Sequence, residues 1–360
     1  MKKEEKETIR IVDIAKMAGV SIGTVDRVLH NRANISTKSK QKVEAVLKEI
    51  QYRPNRNASA LARSKPLEII AFIPQHTIGT YWEDVIKGMH HASTQYADFK
   101  VHTTISYYDP YNLYAFEISA QNLLDAHPDG VIIAPTEPKY SMRFVDQLNK
   151  AAIPHLFIDS EIPNYQPLSF VGQNAQKSGV FAARMLMLLN PTHQPLLVFR
   201  KIYAGVTGSN QQDRRQQGFE TYMTTKHPDI AIHYLDLPAK QPDEDELMLD
   251  HFLAAHPSSK VGVIFNSNAF IIGHYLKKKG ISDFHLLGYD LIKQNTDLLK
   301  TGYIDFLIAQ SPKKQGHLSI ETLCDYILFG TKPAPYNYTS IQLVTDEILD
   351  DFVQSESKYE

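Results

Sequence analysis

Residues 11–29 read Ile11-Val-Asp-Ile-Ala-Lys-Met-Ala-Gly-Val-Ser-Ile-Gly-Thr-Val-Asp-Arg-Val-Leu29. In the first half, Ile11, Ile14, Ala15 and Ala18 fall on one face at helical spacing. Gly19 is free to take the positive φ that ends a helix, and Val20 packs at the corner. Ser21 then caps a second helix, Ile22 to His30, whose Val25, Val28 and Leu29 face inward. Two short helices joined by so tight a turn make a helix-turn-helix. A third helix follows, capped by Ser36, with Val43, Val46, Leu47 and Ile50 as its apolar stripe.

Charge sets this head apart from the rest. Residues 1–65 carry 15 Lys/Arg against 7 Asp/Glu, a net of +8, whereas the other 295 carry 23 against 33, a net of -10. A basic head on an acidic body suggests a polyanion-binding module joined to something that is not one. A merely solvated basic helix face is the competing explanation. With 43% hydrophobic and 22% charged residues, the 360-residue chain has the composition of a soluble globular protein of two or three domains.

From Leu67 the texture becomes strand–helix alternation. Expected strands are 67–74, 99–106, 130–134 and 155–158, with helices near 81–96, 113–126 and 142–151 between them. A second series of strands begins at 194–201 and continues at 230–235, 261–265 and 284–287. The residues 338–344 read as a final strand, and 345–360 as an acidic tail without leucine heptads. Repeated units of this kind imply doubly wound parallel sheets, two of which make a two-lobed clamshell with ligand loops at the strand ends.

Several function classes find no support. The single cysteine, Cys324, excludes an intramolecular disulfide or thiolate metal site and reads as a buried residue. His76, His90, His91 and His102 lack the spacing of a zinc-binding helix, so no metal is expected. There is no phosphate-binding G-x-x-x-x-G-K-[ST] loop, no G-x-G-x-x-G after the first strand and no G-x-S-x-G elbow, so neither catalysis nor a cofactor is expected. The opening MKKEEKET has mixed charge and no apolar core, unlike a secretory leader, and no apolar run nears the roughly 20 residues of a membrane span. A cytoplasmic location is the expectation.

Over nearly its whole length the sequence resembles the LacI/GalR family of bacterial regulators. The resemblance rests on IVDIAKMAGVSIGTVDRVLHNRANIS, then KVEAVLKEIQYRPNRNASALARSK, which continues the helix-turn-helix through a third helix to Tyr52-Arg-Pro-Asn and Ala58-x-x-Leu61-Ala62. The later Gly288-Tyr-Asp and Ile308-Ala-Gln-Ser-Pro-Lys-Lys-Gln-Gly316 are similar to ribose-binding-type proteins, the type I periplasmic body plan that such regulators share. The resemblance implies an α/β fold in four parts. These are a helix-turn-helix domain (1–54), a hinge helix and linker (55–66), an effector-binding and dimerisation domain (67–350) and an acidic tail (351–360). The N-lobe would comprise about 67–162 and 312–337, the C-lobe about 163–311 and 338–350.

The same resemblance assigns roles. Ile22 and Gly23 occupy base-reading positions of a helix that enters the major groove, with Thr24 beside them and Arg27 one turn on. Arg27 can fork to guanine or hold phosphate. Ser21, Thr24, Asn34 and Ser36 are phosphate contacts or plain caps. Asn55, Ala58, Leu61 and Ala62 belong to the hinge helix, with Leu61 as the wedge between base steps in the minor groove. Gly23, which offers no side chain, and Asp26, a carboxylate near phosphate, depart from the family and imply a distinct operator.

In the body, Tyr81 and Trp82 are the ring plates for a sugar, and Glu137, Asp159, Arg215, Asn266, Asp290 and Gln310 grip its hydroxyls. His76, beside Arg215, points to a charged sugar, and Asp109, Tyr111 and Asn112 frame the entrance. Asp290 as a helix cap, Trp82 as core and Arg215 paired with Asp213 on the surface stay open as plainer roles. The expected function is a ligand-responsive, sequence-specific repressor of carbohydrate-utilisation genes, not an enzyme. Its partners would be a pseudo-palindromic DNA operator, a sugar or sugar-derivative effector and a second copy of itself. The dimer faces would lie near 81–97 and 319–328. A transport-type solute receptor and a Rossmann-like enzyme are the rivals, and the basic head and missing motifs speak against them.

Overall fold

The computed structural model describes residues 11–29, 35–50, 65–202, 207, 210–238 and 242–359. The chain divides into two compact units, Met1–Ala62 and Arg63–Glu360.

In the first unit, α1 (Ile11–Ala18), α2 (Ile22–Leu29) and α3 (Thr37–Glu49) enclose a small core of Ile14, Ala15, Ala18, Val25, Val28, Val43 and Val46. Gly19 takes φ +61°, so the turn between α1 and α2 uses the backbone freedom that only glycine has at no steric cost. Ser21 caps α2 by accepting from the Thr24 amide at 3.2 Å, and Ser36 caps α3 through the Ser39 amide at 3.2 Å.

The second unit holds two lobes. The N-lobe runs β1 (Leu67–Pro74), α4 (Tyr81–Gln95), β2 (Val101–Tyr108), α5 (Leu113–Asp125), β3 (Gly130–Ile133), α6 (Pro138–Lys150), β4 (His155–Ile158) and β5 (Phe170–Gly172). The C-lobe follows with α7 (Ala175–Leu188), β6 (Leu196–Ile202), α8 (Asn210–Lys226), β7 (Ile232–Pro238), α9 (Pro242–Ala255), β8 (Val261–Ile264), α10 (Ala269–Lys279), β9 (His285–Tyr289), α11 (Lys293–Lys300) and β10 (Phe306–Ala309). The chain then returns to the N-lobe as α12 (Pro312–Phe329) and β11 (Tyr336–Tyr338), and to the C-lobe as β12 (Gln342–Val344) and α13 (Asp346–Glu356).

The sheet orders are β11-β5-β4-β3-β1-β2 and β12-β10-β9-β8-β6-β7. Among the described residues, all neighbours are parallel except β10 and β12. The inner strands are buried along nearly all of their length because helices cover both faces, which is why they read as largely apolar runs, with Glu68 the exposed exception. Each lobe has two such cores, one per sheet face.

One pair of helices in each lobe crosses backbone against backbone. A Cβ on Gly88 of α4 would lie 1.8 Å from the Lys313 carbonyl oxygen of α12, and one on Gly179 of α7 would lie 1.8 Å from the Arg215 carbonyl oxygen of α8. These contacts bring the N-termini of α4 and α12, and of α8, to the mouth between the lobes.

The observed boundaries differ from the expected ones in three places. The division at 162/163 is too early, because Phe170–Gly172 pairs with β4 and belongs to the N-lobe. The run 338–344 is not one strand: Tyr336–Tyr338 pairs with β5 and Gln342–Val344 with β10, so the chain changes sheets between them. Of the tail expected at 351–360, residues 351–356 are the end of a helix that starts at Asp346 and buries Leu349 in the C-lobe core, and Ser357–Tyr359 forms a further short turn.

The three crossings between lobes are tied by one amide. Gln173, 1% exposed, donates from Nε2 to the carbonyl oxygens of Ala309 and Ser340, both at 3.1 Å. The Thr339 amide donates to the Gly172 carbonyl at 2.8 Å. A hinge so bonded can bend without its segments separating.

Candidate functional site

On the head, α2 presents a face that its own core does not use. Ile22 is 52% exposed, and Gly23 and Arg27 also face outward, while Val25 and Val28 face inward. A Cβ on Gly23 would meet only Ser21 Oγ, at 3.9 Å, so the glycine leaves open space at the start of the helix. The exposed N-terminal turn of a second helix is the geometry that reads a major groove. Ser21 and Ser36 both serve as caps here, as the plainer role required. Asn34, Asn55, Ala58, Leu61 and Ala62 lie outside the described residues.

In the body, a cavity of about 240 Å³ opens between the lobes where the carboxyl ends of both sheets meet. Tyr81, Trp82, Asp159, Arg215, Asn266, Asp290 and Gln310 all line it. Their convergence from four loops after strands and from the starts of helices α4 and α8 is what a doubly wound fold provides at strand ends.

Two of them sit at matching places. Asp159 follows β4 and Asp290 follows β9, the corresponding strands of the two sheets, and both take left-handed backbone at φ +66° and +69°. Aspartate is among the few residues that tolerate this conformation, which turns each carboxylate back into the cleft mouth. Each is only 6% exposed. Burial raises the Asp290 carboxyl to about 6, against the opposing pull of the Arg215 guanidinium and the Gln310 hydrogen bond. Burial likewise raises Asp159, again opposed by Arg215.

Arg215 is the cation between them, 2% exposed on α8. Its Nη1 donates to the Phe265 carbonyl at 2.8 Å, and its guanidinium carbon stands 4.1 Å from the Tyr289 ring centroid. Nε and Nη2 have no hydrogen-bond partner among the described residues. A buried guanidinium with two N–H sides unmatched is costly to a folded protein, and an acceptor supplied from outside would relieve it. A surface pairing with Asp213 is thereby ruled out; Asp213 accepts instead from Thr207 Oγ1 at 3.0 Å.

The remaining lining is ordered by its neighbours. Tyr81 Oη donates to Gln315 Oε1 at 2.9 Å, and burial, then the Asp159 charge, holds its phenol well above the ordinary range. The Tyr81 and Trp82 rings meet edge to face, 5.2 Å between centroids, and Trp82 also packs on the N-lobe core. Gln310 Nε2 donates to Asp290 Oδ1 at 2.6 Å, while its own Oε1 is unpartnered among the described residues. Asn266 bonds Gln212 and accepts from the Asn268 amide at 2.9 Å. Asp290 caps no helix, since α11 begins at Lys293 after Ile292.

Two expected residues fall outside the cavity. Glu137 turns back to cap α6, accepting from the Lys139 amide at 3.2 Å, because Pro138 starts a helix there. His76 is held beside the strand end, its Nδ1 3.3 Å from the Pro74 carbonyl and its ring 5.6 Å from Tyr107. Of the entrance group only Tyr111 lines the cavity; Asn112 caps α5 and Asp109 accepts from the Tyr111 amide.

Sequence reasoning missed Gln211, Gln212 and Thr136 in the lining, and Asn295 behind it. Gln211 Nε2 reaches across to the Asp159 carbonyl at 3.0 Å, and the Asn210 amide to the Thr136 carbonyl at 2.8 Å, so α8 docks on the N-lobe by its first turn. Asn295 is fully buried and donates to the carbonyls of Ser267, Tyr289 and Asp290, fixing the left-handed turn that carries Asp290. The polar run Asn210-Gln-Gln-Asp-Arg at a helix start after a strand was the available signal.

Comparison with known proteins agrees with both halves. Residues 10–55 match the model for bacterial regulatory proteins of the lacI family, and residues 70–332 match a periplasmic binding protein domain. A crystal structure from Bacteroides fragilis, described as a LacI transcriptional regulator, is 46% identical. The match covers 80% of this chain and 99% of that one, with TM-score 0.78. A solute-binding protein of Agrobacterium vitis, solved with α-D-tagatopyranose, shares the fold at 21% identity and TM-score 0.69 over 80% of this chain and 97% of that one. Among curated relatives, the Bacillus subtilis repressor described as ExuR is 23% identical over 78% of this chain and 81% of its own length. Catabolite control protein A of Staphylococcus xylosus is 32% identical over 41% of this chain and 43% of its own length. A helix-turn-helix head and a periplasmic-binding-protein body thus share one chain, which belongs to the LacI family of DNA-binding transcriptional regulators.

Proposed function

We propose that the interlobe cavity is the effector site, that its ligand is a neutral sugar or sugar derivative, and that occupancy changes affinity for a DNA operator. The carrying observation is the charge pattern around Arg215. One guanidinium faces two buried carboxylates, Asp159 and Asp290, so the site already balances its cation. A uronate or sugar phosphate would add negative charge beside two groups that burial already pushes toward their neutral form. Hydroxyls, which both donate and accept, match two carboxylates, an amide oxygen on Gln310 and the unmatched N–H groups of Arg215. Tyr81 and Trp82 supply the apolar plate. The expectation of a charged sugar held by His76 loses its basis, since His76 does not line the cavity.

On this reading Asp159, Asp290 and Arg215 grip the ligand, with Asn266 and Gln310 beside them. Closing the lobes on it alters how the body holds the preceding hinge segment. In a homodimer, two such segments with Leu61 as wedge would sit at the centre of a pseudo-palindromic operator, and ligand shifts the population between bound and released states. Relief of repression of carbohydrate-utilisation genes is the sign we favour.

The test is a thermal-shift panel of neutral sugars, uronates and sugar phosphates, since a ligand that binds only the folded protein raises its melting temperature. A neutral sugar should stabilise the wild type and leave Arg215→Ala unmoved. Stabilisation by uronates alone would refute the charge argument.

A further inference from the structure

The last described residues join the lobes once more, without a covalent crossing. Helix α13 follows β12 and rests on the C-lobe, where Leu349 is buried, Phe352 packs beside it and Asp350 meets Lys300 Nζ at 3.1 Å. The turn Ser357–Tyr359 that ends it rests instead on α4 and α12 of the N-lobe. There the Tyr359 ring stands 5.3 Å from the ring of His317, and His317 stands 5.3 Å from His91 on α4.

Between these two anchorages the segment passes over the hinge. Glu356, at the end of α13, shares the wall of one crevice with Ser311, the left-handed residue between Gln310 and α12. A crevice of about 130 Å³ separates α13 from the hinge, walled by Phe352, Val353 and Glu356 on one side and by Tyr81, Asp290 and Gln310 on the other. The last three also line the effector cavity, so the crevice is its back wall.

We propose that this C-terminal segment is a clasp that holds the two lobes to one another and sets how readily the cleft opens; the proposal rests on the cleft being the effector site. An element fixed to one lobe and seated on the other must be stripped from its seat when the lobes part. The C-lobe anchorage includes a core leucine, whereas among the described residues the N-lobe anchorage consists of the Tyr359–His317 ring contact and the meeting of Glu356 with Ser311, so the N-lobe end is the end that releases. Contacts of that size stabilise by amounts that thermal fluctuation can overcome, which suits a reversible latch. Because Glu356 faces Ser311, and Ser311 adjoins the Gln310 that bonds Asp290, the clasp positions the pocket without touching its ligand.

The experiment uses the full chain with spin labels on Lys139→Cys and Lys293→Cys, exposed residues of α6 and α11 in opposite lobes, and no ligand. Distance distributions are measured for this chain, for a version ending after Glu356 and for Tyr359→Ala. The unmodified C-terminus should give one dominant short distance. Both variants should enlarge a longer-distance population several-fold with unchanged far-UV circular dichroism. Superimposable distributions would overturn the clasp. If the truncated chain does not fold, Tyr359→Ala alone decides, since it removes the ring contact with His317 and keeps the chain's length. With no ligand present, a negative result leaves the effector reading untouched, and a failed sugar panel leaves a positive distance result standing.

Discussion

Replacing Asp290 by asparagine should make the protein more stable at neutral pH while removing its response to ligand. Burial raises the Asp290 carboxyl from an ordinary 3.8 to about 6. Between those values the folded state holds a proton that the unfolded chain has released. Stability therefore falls as pH rises from about 4 to about 6, and the loss is complete above that range. A difference of about two pH units corresponds to about 3 kcal/mol of penalty for the ionised group. Asparagine has nearly the same shape, its side-chain oxygen can still accept from Gln310 Nε2, and it tolerates the φ of +69° at least as well as aspartate. The substitution thus removes charge and little else. Urea unfolding from pH 4.5 to 8 should show the Asp290→Asn chain more stable by up to about 3 kcal/mol at pH 8, converging with wild type near pH 4. A variant that is less stable at pH 8, with the wild-type slope between pH 4 and 6, would refute the reading that Asp290 is an ionised group retained for ligand at the expense of stability.

Gly218→Ala should destabilise the C-lobe by about 1–3 kcal/mol or more, since its Cβ would lie 2.0 Å from the Gln176 carbonyl oxygen at the α7–α8 crossing; denaturant midpoints measure it. Ser21→Ala removes the cap on α2 and should lower head stability by about 1 kcal/mol, read from the melting of residues 1–62 within the intact chain by hydrogen exchange. Trp82 is the only tryptophan, so ligand should change its fluorescence in wild type and not in Arg215→Ala; an unchanged signal with a stabilising sugar would remove Trp82 from the contact. Leu61→Ala should weaken specific DNA binding far more than non-specific binding in anisotropy titrations, and equal losses would remove its wedge role.

How much was legible depended on whether local pattern and tertiary role coincide. Strands such as Leu67–Pro74 and His155–Ile158 were readable to the residue because helices bury both faces of the sheet, leaving mostly apolar runs. The head was equally plain, since Gly19, Ser21 and Ser36 are punctuation whose chemistry is local. The hinge was not. Thr339 and Ser340 stand in a run with strand composition, yet they bond Gly172 and Gln173 and carry the chain from one sheet to the other. Nothing local distinguishes them from strand. The helix Asp346–Glu356 was hidden for a different reason: its few apolar anchors, such as Leu349 and Phe352, are set among acidic residues and find their partners only in the C-lobe.

In the pocket, residues placed just after a strand were found where chemistry and position agreed, as for Asp159 and Asp290, and Arg215 was found from its place ahead of Gly218-Phe219. Glu137 misled because the same position is also the cap of α6, and the amide of Lys139 holds its carboxylate there. Asn295 was invisible because it acts on three carbonyls brought together only by folding.

The central claim is that a molecule in the interlobe cavity governs what the helix-turn-helix does on DNA. The most direct measurement is a footprint of the purified chain on DNA upstream of its own gene, at moderate salt, with and without the sugar that raises its melting temperature. The account predicts a symmetric protected site whose occupancy changes with the sugar in wild type and not in Arg215→Ala. Protection that stays constant while the sugar demonstrably stabilises the wild-type protein would contradict it.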